Sequence, residues 1–212
     1  MSIVKLNNKA VSNATAFGSI SSLGSMTFIK KLTASSSATL SFVDGASGVV
    51  LDDTYKEYVF TFKDIHPATN RAIFGFNLST DSGSNYNVTK TTTFFFAYQS
   101  ETNSADTSLT YATAFDLAQS TSDKRLTGQI ANNNDSSASG ILQFFNPSST
   151  TFVKHFTGCL NNMSITSDST EYYTQNAFSA GYGNTTSAVN AIRFQMDSGN
   201  IDAGDICLYG IA

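Results

Sequence analysis

"YKEYVFTFKDIHP", residues 55–67, decides the fold. Tyr58, Phe60 and Phe62 fall on one side of an extended chain, and Val59, Thr61 and Lys63 fall on the other. That period of two is the one a pleated strand imposes on its side chains. His66-Pro67 ends the run, because proline has no N–H to give to a ladder. "AIFGFNLST" (72–80) starts the next strand and "DSGSNYN" (81–87) reads as the loop after it. Working outward, "MTFIKKL" (26–32) alternates in the same way. "ATLSFVDGASGVVL" (38–51) reads as two strand pieces around Asp44-Gly45, a dipeptide favoured in tight hairpins.

"TTTFFFAYQS" (91–100) places Phe94, Phe95 and Phe96 in one unbroken apolar run, as expected of a strand covered on both faces. Further strands are read at "ILQFF" (141–145), "TFVKHFTG" (151–158), "EYYTQNAF" (171–178), "AIRFQM" (191–196) and "DICLYGI" (205–211). The last has apolar residues on both faces, which belongs inside a sheet or under a neighbouring subunit, with Asp202-Ala203-Gly204 as the turn feeding it. Between residues 100 and 135 the pattern weakens. "SETNSADTS" (100–108) and "ANNNDSSASG" (131–140) read as long exposed loops, and "STSDKRLTGQI" (120–130) as one helical turn. The expectation is an all-β protein, an antiparallel sandwich of about ten strands over residues 26–212. Residues 1–25 have only scattered single apolar residues and read as an extended N-terminal arm that orders by docking elsewhere.

Composition narrows the function. Charged residues make up 13% of the 212 residues, the net charge is −4, and Ser, Thr and Asn fill the exterior. Nucleic acid calls for a basic stripe, and only Lys30-Lys31 and Lys124-Arg125 are adjacent basic pairs. No apolar stretch approaches the ~20 residues that span a bilayer, so membrane insertion is not expected. "MSIVKLNNKAVSNATAF" (1–17) lacks the continuous apolar core of a secretory signal. Cys159 and Cys207 sit in strand-like surroundings and read as free thiols.

Chemistry has few carriers. Two histidines exclude a multi-His metal site; His66 reads as a turn residue and His155 as a strand residue. Asp44, Asp52, Asp53, Asp64 and Asp81 fit turns, where the side chain bonds its own backbone. Neither "LDDT" (51–54) nor "TDSGSNYN" (80–87) has the spacing of a calcium loop, and "SAGYGN" (179–184) lacks the lysine of a phosphate loop. The chain is therefore read as a non-enzyme, with no catalytic residue, cofactor or metal assigned. What remains is surface. Tyrosine with Ser and Asn makes adaptable contact area. The candidate binding loops are marked by Tyr86 and Asn87, Asn103 and Asp106, Asn133 and Asp135, and Tyr182 and Asn184.

Two longer stretches carry a resemblance. "LDDTYKEYVFTFKDIHPATN" (51–70) leading to "FNLSTDSGSNYN" (76–87) resembles a motif of tailed-phage virion proteins, those of marine cyanophages among them. "FNPSSTTFVKHF" (145–156) and "AGYGNTTSAVNAIRFQMDSGNIDAGDICLYGI" (180–211) are similar to the same family's closing segment. The resemblance implies a jelly-roll-like sandwich in a virion structural protein of tail-fibre type. It implies assembly in the host cytoplasm, a homo-oligomer (a trimer for a fibre), contact with other virion proteins through residues 1–25, and exposure to a host-surface glycan or protein. A capsid decoration protein is the alternative, and a carbohydrate-binding or depolymerising module the lesser one. No catalytic residue is carried over, because the matching segments are strands and turns.

Overall fold

β-branched and aromatic residues at alternate positions favour a pleated surface, and two such surfaces bury their apolar faces against each other. The computed structural model describes residues 25–102, 105–166 and 170–211. The expected arm, except Ser25, lies outside the described residues, as does Asn103. Among the described residues twelve strands form. β1 (Met26–Ser37), β2 (Leu40–Val43), β3 (Glu57–Pro67) and β4 (Ala72–Ser79) come first. β5 (Lys90–Ser100), β6 (Thr107–Tyr111), β7 (Lys124–Ile130) and β8 (Ala138–Phe145) follow. β9 (Lys154–Ile165), β10 (Tyr172–Gly183), β11 (Ala191–Met196) and β12 (Ile201–Ile211) come last. Among the described residues the one helical element is a 3-10 turn at Thr113–Phe115.

The strands form two antiparallel sheets. One has the order β1-β12-β3-β8-β9-β10-β5-β6 and the other β2-β11-β4-β7. The consecutive pairs β1/β2, β3/β4, β7/β8 and β11/β12 each place one strand in each sheet, so β1-β12-β3-β8 faces β2-β11-β4-β7. This is the wrapping of a jelly roll. The pairs β5-β6 and β9-β10 are added to it and widen only the large sheet.

The 55–67 pattern folds as read. Tyr58, Phe60 and Phe62 point into the sandwich and are buried, while Lys63 is exposed. Phe194 of β11 is the hub of the core, its ring 5.2 Å from Phe62, 5.3 Å from Phe60, 5.9 Å from Phe74, 6.2 Å from Phe42 and 6.3 Å from Phe76. β12 lies between β1 and β3, so its two-sided apolar character does belong inside a sheet. Ile206 and Leu208 face the core, and Cys207, Tyr209 and Ile211 are half-buried on the outer side.

Five local readings are corrected. The stretch 120–130 contains a strand, β7, because Lys124, Leu126, Gly128 and Ile130 all turn inward; a buried lysine disguised the alternation. Residues 107–111 are an edge strand rather than loop. Asp44-Gly45 does turn the chain, but no second strand follows. Leu51 N–H instead bonds Asp44 Oδ1 at 2.8 Å, and Val49 and Leu51 plug the core from a loop. β5 is covered on one face only, since Phe95 is 39% exposed. Residues 202–204 lie within β12, where irregular register absorbs them, and the reversal falls just before the strand, with Gly199 at φ 70°.

Candidate functional site

The register of β5, β9 and β10 sorts the loops into two groups. Gly183 pairs with both Lys90 and Lys154, so the loops at 80–89, 146–153 and 184–190 gather at one end of the sandwich. Tyr173 pairs with Ser100 and with Ser164, which puts the 101–106 connection at the other end; the 131–137 loop runs into β8 at the same end. Tyr86, Asn87 and Asn184 thus share the first end, where Arg193 lies 4.5 Å over the Tyr86 ring and Asn184 donates to Gln119 Oε1 at 2.8 Å. Asp106, Asn133 and Asp135 are at the second end. The seven of these residues that are described do not form one surface. Tyr182 is not in a loop at all: it sits on the outer face of β10 with its ring 5.9 Å from His155.

At the second end, the Tyr173 hydroxyl lies 3.0 Å from both Asp106 Oδ2 and Glu171 Oε2. Glu171 Oε1 also accepts from the hydroxyls of Thr102, at 2.7 Å, and of Ser100. Asp135 flanks a shallow polar depression with Asp64, Ser137 and Asp202, in which His66 Nδ1 bonds the Ser136 carbonyl at 2.6 Å. The turn role read for the aspartates holds at Asp52 and Asp81, which accept the N–H of Thr54 and of Asn85 at 2.8 Å each. Among the described residues, no group of three or more His, Cys, Asp or Glu side chains is placed to hold a metal ion.

The first end is held by three lysines that no sequence signal marked as internal. Lys90, Lys124 and Lys154 are fully buried. Lys154 Nζ donates to the carbonyls of Ser149, Phe152 and Thr185 at 2.6, 2.7 and 3.2 Å, tying the loops on both sides of β9 and β10 together. Lys90 Nζ donates to Asn77 Oδ1 at 2.6 Å and to the Val88 carbonyl at 2.7 Å. Lys124 Nζ reaches the Phe115 carbonyl at 3.1 Å and sits 4.9 Å over the Phe94 ring. Taking an ammonium out of water favours its neutral form. Burial accordingly lowers Lys90 and Lys124 to about 8, and Lys154 also falls below the ordinary lysine value. These are structural clamps on loop backbone.

The outer face of the large sheet has the other unexpected surface. Following the register across the sheet, Lys31, Cys207, Thr61, Ile141, Cys159, Phe178, Phe95 and Tyr111 form one row over all eight strands. From Ile141 onward the row is apolar or aromatic. Phe95 and Phe178 stack with centroids 5.0 Å apart, and Leu109 extends the patch on the edge strand β6. Leu109 is 73% exposed, Tyr111 57% and Ile141 43%. Sequence reading missed this face. Its one sequence signal is the triple-Phe run at 94–96, which reads equally as a strand buried on both faces. Cys159 and Cys207 both lie on the row as free thiols. They stand three strand spacings apart, about 14 Å, well beyond the ~7 Å Cα separation that a disulfide tolerates.

No family model, curated protein or solved structure matches this chain. Among the described residues, no helix is long and apolar enough to cross a membrane.

Proposed function

We propose that this chain is a structural protein of a tailed-phage virion, a tail-fibre-type subunit that works as a homo-oligomer. The observation that carries the reading is the apolar outer row of the large sheet. Isolated exposed apolar residues are ordinary, but a contiguous face of Ile141, Phe178, Phe95, Leu109 and Tyr111 marks an interaction surface. We assign a further copy of this chain as its occupant. The patch is uncharged, so two copies meet without desolvating like charges. The patch crosses the five strands β8, β9, β10, β5 and β6, about 20 Å, and is the apolar centre of a wider sheet face on which the ~800 Å² per partner of a stable interface can be buried. A homo-oligomer built from many uncharged surfaces also suits an appendage assembled by symmetry. The phage-like segments at 51–87 and 145–211 support the virion setting, and a trimer is the fibre arrangement they imply.

The test is direct. Wild-type protein run with light scattering should elute as a discrete oligomer, and Leu109→Lys with Ile141→Lys should reduce it to a 22.7 kDa monomer that keeps the circular dichroism of the folded domain. A monomeric wild type, or an oligomer indifferent to both lysines, overturns the assignment. Antibody labelling of purified particles of the encoding phage would then place the subunit; particles devoid of it sink the virion reading.

A further inference from the structure

The two sheets present their outer faces in opposite directions, so docking by the large sheet leaves the small one open. Its middle row reads Gln195, Gly75, Arg125 across β11, β4 and β7. Gly75 makes a notch there. Any Cβ at this position would lie 2.6 Å from the Lys124 carbonyl, so the irregular register between β4 and β7 demands glycine and opens a floor between two polar side chains. The notch belongs to a cleft of about 320 Å³, lined also by Phe115 of the 3-10 turn, by Leu117 just after it and by Asp197.

We propose that this cleft binds a neutral sugar unit. Gln195 and Arg125 stand two strand spacings apart, about 10 Å at the backbone, which leaves room for one pyranose ring with a hydrogen bond on each side. Both are held in place. The Arg125 guanidinium carbon sits over the Phe115 ring, 4.3 Å from its centre. Gln195 Nε2 donates to Asp123 Oδ2 at 2.5 Å, and Asp123 is itself fixed by Asn77 Nδ2 at 2.7 Å. Side chains fixed before binding lose little entropy on binding. Arg125 brings a planar fork of N–H donors to the cleft, and Gln195 and Asp197 bring side-chain oxygen acceptors, Asp197 being oriented by the Ile73 N–H, which donates to its Oδ1 at 2.8 Å. Paired donors and acceptors at fixed spacing suit vicinal hydroxyls, each of which can donate and accept. Ile73 and Leu117 supply apolar wall for the C–H faces of a ring. The lining carries Asp123 and Asp197 against Arg125, with Arg193 outside it 3.9 Å from Asp123 Oδ1, so no net positive charge draws an anion and an uncharged ligand is favoured.

The inference gives a ligand class to the host-contact part of the function proposed above and rests on it only for biological setting. Sugar binding by the purified protein and its oligomeric state are separate readouts, so either can fail alone. Glucose, galactose, mannose, N-acetylglucosamine and neutral trisaccharides built from them should be tested by saturation-transfer NMR and titration calorimetry, with glucuronate as the charged control. At least one neutral probe should bind saturably. Gln195→Ala and Arg125→Gln should each weaken it about tenfold or more, the effect of losing roughly one good hydrogen bond, with unchanged circular dichroism. Saturable binding to none of the neutral probes, equal affinity in both variants, or tighter binding of glucuronate overturns the proposal.

Discussion

Raising the pH from about 7.5 to about 9.5 should stabilise the fold, although protein stability is usually highest below pH 8. Lys90 and Lys124 are buried and titrate at about 8 in the folded chain, with desolvation the main cause. In the unfolded chain they return to about 10.4. Between these values the unfolded state holds more protons than the folded one, so the unfolding free energy rises with pH. Each lysine spans roughly two pH units at 1.36 kcal/mol per unit, so each contributes about 3 kcal/mol on the way to its alkaline plateau. Together their steepest slope is about 2.7 kcal/mol per pH unit. Tyr58 acts in the opposite sense above pH ~10, because its buried phenol is raised above the usual range and resists ionising. The maximum should therefore fall near pH 10. Urea unfolding at several pH values reads this directly as a shift in midpoint at constant m-value. The double substitution Lys90→Met with Lys124→Met should flatten the rise. Wild-type stability that is flat or falling between about pH 8 and 9.5, or an equal rise in the double variant, would refute the desolvation argument.

Other outcomes follow from particular contacts. Phe194→Ala removes the ring that five other core phenylalanines touch and should cost about 3–5 kcal/mol, with Phe194→Leu recovering most of it in the same denaturation assay. Gly140→Ala puts a methyl 2.3 Å from the Cys159 carbonyl oxygen, a backbone atom that cannot step aside, so a loss above ~2 kcal/mol is expected. Removing residues 201–211 takes out the strand between β1 and β3, and circular dichroism should show loss of the fold rather than a trimmed domain. Lys154→Met leaves the carbonyls of Ser149, Phe152 and Thr185 without their shared donor, and amide exchange in the 146–153 and 184–190 loops should accelerate ahead of the strands.

How far the sequence could be read depended on which interactions are local. Where polar and apolar residues alternate cleanly, as at Tyr58, Phe60 and Phe62, a single sheet face accounts for the pattern and the strand was legible. β7 was not, because Lys124 breaks the apolar rhythm; its inward turn is stabilised by the carbonyls of Thr93 and Phe115, which lie outside the strand. The polar and tyrosine residues expected to mark binding loops are plausible one by one, yet strand register sends the seven that are described to opposite ends and onto a sheet face. The exposed row of Ile141, Phe178, Phe95 and Tyr111 comes from four different strands, so no window of sequence contains it. The Gln195, Gly75 and Arg125 cleft is likewise spread over three strands.

By itself the sequence determined that the chain is an antiparallel β-sandwich with a low-charge, hydroxyl-rich exterior, because side-chain alternation and composition are properties of neighbouring residues. The tertiary structure alone decided which strands pair, and with them the jelly-roll order, the inward lysines and the two opposed outer faces. Pairing is set by contacts between segments far apart in the chain, and these form only once one face of every strand is buried against the other sheet.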